Sequence, residues 1–310
     1  MSKILLVDDD VDLAELVQTK LSAEGNDVST INSGEGAFER AKDVRPEIVI
    51  LDIMLPGVTG YQICRRIRKD PELYNVSVLI LTALGEEPEI LHGLEQGADD
   101  CLTKPFKLDQ LMEKIDSLKG LQESIKRLNP ITNLPGTEAI KREINHRLSR
   151  GVPLAACYID IVGYKPYCAV YGQEGQKRTL EFMAQLLKKL THTIGIYETF
   201  ISHLGGEHFV VLLNLEDYER FCNTLTESFD RMVKKLYTAD DAERGYIMAT
   251  AKSGKEGKYP LMALSIGVGH TQFRAFKSAK KLFEILAQTR QKAVPQGKSA
   301  VFVDRRKADR

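Results

Sequence analysis

Cysteine is scarce: the five present (Cys64, Cys101, Cys157, Cys168 and Cys222) include no CxxC pair and make an odd total. That argues against a disulfide framework and reads as reduced, mostly buried thiols in the cytosol. No uncharged apolar run approaches the ~18 residues that a spanning helix needs. Lys3 is followed by four apolar residues before Asp8, too short a stretch for a signal sequence. The expected location is therefore cytoplasmic, with no membrane partner. Internal repeats and low-complexity tracts are also missing. Neither sign of charge is in excess, with 43 Lys+Arg against 43 Asp+Glu. The balance is uneven along the chain, however: residues 1–120 carry 13 basic against 23 acidic residues, and residues 121–310 carry 30 against 20. The basic half could attract a phosphate ligand, nucleic acid or its own acidic neighbour, although solvated faces of opposite sign account for the same numbers.

What is present fits a soluble globular protein, with 43% hydrophobic and 28% charged residues. The 310 residues are enough for two domains of ordinary size. In the first half, Ile4–Val7, Ile48–Leu51 and Val78–Leu81 are continuous, β-rich apolar runs, as expected of strands buried on both faces. Between them, Leu13, Leu16, Val17 and Leu21 keep helical spacing, as do Ile63 and Ile67. This alternation predicts a doubly wound parallel α/β sheet, whose chemistry lies beyond the carboxyl ends of its strands.

Those ends carry Asp8 and Asp9, then Asp52, then Thr82, then Lys104. Clustered carboxylates repel one another unless a hard cation neutralises them, and Mg²⁺ suits oxygen ligands. A carboxylate is also a competent nucleophile toward phosphorus, and a lysine can pair with phosphoryl oxygens as they arrive.

The segments VDDD, LDIMLPGVTG, LTA and TKPF, in that order, resemble the receiver domain of two-component response regulators over roughly residues 1–119. The resemblance implies a flavodoxin-like fold with Asp52 as the phosphoacceptor. It implies Mg²⁺ held by Asp8, Asp9, Asp52 and the Met54 backbone carbonyl, with Thr82 and Lys104 sensing the phosphoryl group. Its implied partner is a sensor histidine kinase or a phosphotransfer protein. One departure stands out: Cys101 occupies the place, three residues before the lysine, where receivers usually carry a mobile aromatic.

Residues 108–128 read as a helix that outlasts the receiver, with Leu111, Ile115, Leu118, Ile125 and Leu128 forming an apolar stripe. Beyond Gly120 no sheet is expected beneath it, so residues 120–130 read as a connector and residues 108–128 as a possible homodimer seam. Asn129-Pro130 should end the helix.

After Pro130, ITNLPGTEAI resembles the opening motif of diguanylate cyclase (GGDEF) domains. An apolar strand then ends at Asp160, and a helix is expected from about Gln173. A hairpin follows, with Phe200–Leu204 and Phe209–Leu213 around Gly205-Gly206. A long helix is expected at about Glu216–Leu236, then an antiparallel pair, Tyr246–Ala251 with Tyr259–Gly269. The resemblance implies an α+β palm-like domain over 131–310. Asp160, Lys165, Gly205, Gly206, Glu207 and His208 stand at its cyclase-site positions. The residues expected to read substrate are replaced: Val162 stands for a metal acid, Cys168 and Lys177 for the guanine readers, His208 for the second hairpin acid and Val294 for a late lysine. The product-inhibition motif would fall on Ile196 and Thr199, and it is absent. A site that reads a base through hydrogen bonds loses roughly 10⁴-fold when that pairing is removed.

The expectation is a phosphorylation-dependent regulator whose second domain is not an enzyme, holds no firm cofactor and binds a downstream protein or a nucleotide. The alternative is an active diguanylate cyclase that makes cyclic di-GMP from GTP in a dimer. No helix-turn-helix pattern follows the receiver, so nucleic acid is not the expected partner. A zinc role for His203 and His208 lacks the HxxxH spacing.

Overall fold

The computed structural model describes residues 1–83, 93–196, 198–250, 256–293, 295 and 298–306. The chain divides into two compact units, Met1–Lys126 and Arg127–Arg310.

In the first unit, strands β1 (Lys3–Val7), β2 (Asp27–Ile31), β3 (Ile48–Asp52), β4 (Ser77–Thr82) and β5 (Asp100–Thr103) form one sheet in the order β2-β1-β3-β4-β5, with every neighbour parallel. Helices α1 (Val11–Ala23), α2 (Ala37–Val44), α3 (Gly60–Lys69) and α4 (Leu108–Lys126) accompany it. The alternation of side chains along a strand separates two cores. Leu5, Val7, Val49, Leu51, Val78 and Ile80 pack with Ile63 and Ile67 on one face. Ile4, Leu6, Ile48, Ile50, Leu79 and Leu81 pack with Val17, Leu21, Leu111 and Ile115 on the other. Helices on both faces explain why the strand runs are apolar without interruption.

Helix α4 corrects the expected connector. Past Gly120, Leu121 packs against the second of those cores. The Gln122 amide donates to the Asn75 carbonyl at 2.7 Å and to Ser77 Oγ at 2.9 Å. Lys126 pairs with Glu47. The helix ends at Lys126, and Asn129 builds a turn by accepting from the N–H groups of Ile131 and Thr132, each at 3.0 Å. Leu111, Ile115 and Leu118 of the stripe are thus packed into the first unit's own core, whereas Leu128 is exposed.

The second unit contains a mixed five-stranded sheet, ordered β12-β11-β6-β8-β7. Its strands are β6 (Leu154–Val162), β7 (Phe200–Gly205), β8 (His208–Asn214), β11 (Ala263–His270) and β12 (Ala300–Val303). All neighbours are antiparallel except β11 and β12. Helices α6 (Tyr164–Thr193) and α7 (Tyr218–Met232) cover one face, where Cys157, Ile159, Phe209, Val211 and Ile266 meet Met183, Leu187, Phe221 and Leu225. Helices α5 (Thr137–Ser149) and α9 (Ala279–Arg290) cover the other, where Ala156, Val210 and Leu212 meet Ile140, Ile144, Leu282 and Leu286.

Three expected boundaries shift. Helix α6 starts at Tyr164, and Gly172 (φ 64°, ψ −162°) breaks its regularity just before the expected start at Gln173. Helix α7 ends at Met232, and Val233–Leu236 tightens into a 3₁₀ turn before the short α8 (Ala239–Arg244). The expected strand Tyr259–Gly269 is two strands. Strand β9 (Tyr246–Thr250) pairs with β10 (Glu256–Pro260) as a separate antiparallel pair, whereas β11 pairs with β6. Between them, the Met262 N–H donates to the Tyr237 hydroxyl at 2.8 Å instead of to a strand, which ends one ladder before the next begins. Ala251, Val294 and the expected lysine position there lie outside the described residues.

Candidate functional site

The three consecutive aspartates after β1 take three different positions. Asp8 is 1% exposed, and its Oδ1 accepts the Asp10 N–H at 3.1 Å. Asp9 is exposed. Asp10 caps α1 by accepting the Leu13 N–H at 3.0 Å, which satisfies a helix-end donor and takes it out of the site. Asp52 ends β3, buried, and its Oδ1 accepts the Met54 N–H at 3.2 Å. Met54 itself is exposed, and its neighbour chain turns into a capping box in which Thr59 and Gln62 cap α3.

Lys104, just past β5, brings these strand ends together. Its Nζ lies 2.8 Å from Asp8 Oδ2 and 2.7 Å from Asp52 Oδ2. Thr82, at the end of β4, is buried, and its carbonyl accepts the Lys104 N–H at 2.6 Å. Burial pushes the Asp8 carboxyl above its ordinary range, and the hydrogen bond from Lys104 opposes that push. Burial works to lower the Lys104 ammonium, but its hydrogen bonds to Asp52 and Asp8 outweigh it and hold the group above its ordinary value. Carboxylate oxygens of Asp8, Asp9 and Asp52 lie within 4.8 Å of one another. Such an all-oxygen donor set fits a hard divalent cation.

Cys101 is half-buried against the core, and burial pushes its thiol up to about 11. A thiol so protonated is a packing group rather than a nucleophile.

One element escaped the motif-based reading. Arg68, 8% exposed, donates to the carbonyls of Gly97 (2.6 Å), Tyr74 (3.1 Å) and Val76 (2.6 Å) and to Asp99 Oδ2 (2.8 Å). Asp99 Oδ2 also accepts the Val78 N–H at 2.8 Å. This clamp ties α3 to the segments that lead into β4 and β5. A buried arginine at the end of the Ile63–Ile67 stripe is the only sequence signal for it.

In the second unit, Asp160 lies on the central strand β6, opposite His208 on β8 and Ser265 on β11. The hairpin turns at Gly205 (φ 109°) and Gly206 (φ 55°), values that glycine adopts without strain. Glu207 and His208 at its tip approach Asp160, all three offering ligand atoms within 4.8 Å. The carboxylates are already matched, however. Arg290, from α9, pairs with Asp160 Oδ2. His208 Nδ1 stands 3.0 Å from Asp160 Oδ1, off the direction of a hydrogen bond. Lys165 Nζ is 3.1 Å from Glu207 Oε1. One oxygen of each carboxylate is therefore already paired with a cation of the chain, which disfavours a divalent ion there.

Val162 is exposed, and Cys168 is half-buried. Lys177 is 58% exposed in its side chain and stands 4.0 Å from Glu181. His203 belongs to the scaffold: it stacks on Phe209 with 4.4 Å between ring centres, and its Nε2 donates to the Gly206 carbonyl at 2.9 Å. That leaves Nδ1 to accept from the Thr132 hydroxyl at 3.1 Å, a neutral ring with both nitrogens occupied. No helix among the described residues is long and apolar enough to cross a membrane.

Residues 4–116 match the family model of the response regulator receiver domain. The chain is 42% identical over 118 residues to the phosphate regulon transcriptional regulatory protein PhoB of Rhizobium meliloti, covering 38% of this chain and 52% of that protein. It is 43% identical over 134 residues to a transcriptional regulatory protein CpxR homolog of Haemophilus influenzae, covering 43% of this chain and 56% of that one. The chain spans about half the length of the curated relatives it matches. The solved receiver domain of Francisella response regulator 1452 aligns at 31% identity over 39% of this chain and 98% of its own, with a TM-score of 0.37. Across residues 4–116, this chain is a response regulator receiver domain.

Proposed function

We propose that the chain is a phosphorylation-controlled signalling regulator in which Asp52 accepts a phosphoryl group and the second unit is a GGDEF-like binding module without cyclase activity. The observation that carries the first part is the placement of Lys104 within hydrogen-bonding distance of both Asp8 and Asp52.

In the transfer, an Asp52 carboxylate oxygen attacks the phosphorus of a phosphohistidine on a sensor kinase or phosphotransfer protein. The new P–O bond replaces the P–N bond, and the imidazole leaves with the electron pair and takes up a proton. Asp8, Asp9, Asp52 and the Met54 carbonyl would hold Mg²⁺, which when bound offsets the charge of the phosphoryl oxygens. Lys104 exchanges its contact with Asp52 for one with the arriving phosphoryl group, and Thr82 lies on the neighbouring strand to receive it.

The strand order β12-β11-β6-β8-β7, with a glycine hairpin beside a central-strand aspartate, supports the reading of the second unit as a cyclase-like scaffold. Arg290 on Asp160, together with Cys168 and Lys177 at the guanine-reading positions, supports the loss of GTP chemistry. PhoB and the CpxR homolog are transcriptional regulators by name, but this chain matches only about half of each, and its output role is proposed as binding of a downstream protein.

The test is GTP turnover by the whole protein, with and without beryllofluoride at Asp52. No cyclic di-GMP in either state is expected; product in the activated state overturns the reading of the second unit. Phosphoryl incorporation from acetyl phosphate, lost in Asp52→Asn, is expected of the first unit.

A further inference from the structure

In the second unit, the carboxylate near the end of the central strand is matched by a cation that belongs to the chain itself. Asp160 is half-buried and flanked on both sides by paired strands. A carboxylate in that position requires a partner, and the partner here is Arg290.

Arg290 is built into its place. Gly267, on β11, lies so close beneath α9 that a Cβ there would come 2.4 Å from the Arg290 nitrogen and 2.8 Å from its Cα. Only glycine permits this approach. Ser265 Oγ donates to the Arg290 carbonyl at 3.0 Å, fixing the last turn of the helix over the same strand. Leu282, Leu286 and Arg290 are spaced by four, so the arginine continues the face that α9 turns to the sheet, and both leucines are fully buried. The guanidinium lies 5.5 Å from the centre of the Tyr158 ring, which stands two residues before Asp160 on β6. A planar guanidinium pairs with a carboxylate and packs on an aromatic face, which a hydrated divalent ion cannot do.

We propose that Arg290 is a resident cation in the place at Asp160 where a cyclase-like site would take a divalent metal, so that the second unit is complete without metal and closed to metal-bound triphosphates. This rests on the reading of that unit as a cyclase-like scaffold and names the device that takes it out of catalysis. His208 Nδ1 stands 3.0 Å from the other Asp160 oxygen, and Lys165 pairs with Glu207 Oε1, so a second cation of the chain lies on the neighbouring carboxylate.

The test uses the full chain in an Asp8→Asn, Asp9→Asn, Asp52→Asn background, which silences the receiver carboxylates, with Mn²⁺ binding followed by electron paramagnetic resonance. With Arg290 intact, no Mn²⁺ should bind at millimolar concentration. Arg290→Met should create one site per chain, at least tenfold tighter than any binding by the parent, and Mn²⁺ should raise its melting temperature more than that of the parent. Should Arg290→Met fold poorly, Asp160→Asn provides the second arm. The Asp160→Asn, Arg290→Met double variant should melt higher than Arg290→Met alone, because the charge left behind is gone.

Stoichiometric Mn²⁺ binding by the parent would overturn the inference, as would no gain of binding in a folded Arg290→Met. Additive melting shifts in the double variant would do the same. Mn²⁺ binding by the parent without GTP turnover would sink this inference alone, whereas turnover of GTP by the parent would sink the functional reading beneath it.

Discussion

Lys104 Nζ stands 2.7 Å from Asp52 Oδ2, although 52 residues separate the two. The same ammonium reaches Asp8 Oδ2 at 2.8 Å, so a single lysine compensates two buried carboxylates. Replacing it by methionine leaves those charges facing one another. Lys104→Met should cost about 1.5–3 kcal/mol of stability in the absence of divalent cation. Added Mg²⁺ should recover part of that cost. Urea denaturation with and without Mg²⁺ measures both, and an unchanged midpoint would contradict the pairing.

The Arg68 clamp makes four hydrogen bonds from a side chain that is 8% exposed. Removing one partner of a buried pair typically costs about 3–5 kcal/mol. Arg68→Ala is expected in that range. Arg68→Lys should recover little, because a point charge cannot reproduce the fork that reaches three carbonyls and Asp99. Hydrogen exchange at Val78, whose N–H shares the Asp99 oxygen, reports the local loosening.

Gln122 binds the last turns of α4 to the first unit through the Asn75 carbonyl and Ser77 Oγ. A fragment ending at Lys126 should therefore be more stable than one ending at Lys119. Gln122→Ala should cost about 1–2 kcal/mol, since Ser77 is fully buried and loses a partner. Thermal melts of the two fragments decide this, and equal stability would restore the view of residues 120–130 as a free connector.

Acid should destabilise the second unit through its histidines. His270 is 2% exposed with both ring nitrogens unpartnered, stacked on Tyr218 at 5.2 Å between ring centres. Burial lowers the pKa of His270, and burial likewise lowers that of His203. Both are neutral in the fold and take up a proton more readily when unfolded. Stability from these groups is thus fully present above the ordinary histidine pKa, about 6.5, and declines as pH falls below it. Denaturation midpoints between pH 7.5 and 5 should show this slope, reduced in His270→Phe.

The receiver was legible in its residues because its chemistry follows its topology. A parallel sheet buried on both faces writes uninterrupted apolar runs, and the residue at the end of each run is delivered to one edge. Asp8, Asp52, Thr82 and Lys104 could therefore be named before any coordinate was known. Asp10 could not be separated from Asp8 and Asp9 in that way, since capping depends on where α1 begins.

The second unit shows where local pattern stops. The glycine hairpin and a strand through Asp160 were readable from composition and turn residues, although that strand runs on to Val162. That β11 pairs with β6 and not with β9 was hidden, because antiparallel partners carry no label in an apolar run. Arg290 lies 130 residues from Asp160, and nothing periodic links them.

By itself, the sequence determined most element types and the strand-end order of the receiver residues. Those follow from side-chain period, turn chemistry and the identity of single residues. Only the tertiary structure decided which charges meet: Lys104 with two aspartates, Arg68 with three carbonyls, Arg290 with Asp160. Charge pairing depends on distance and burial in three dimensions, and neither quantity is carried by spacing along the chain.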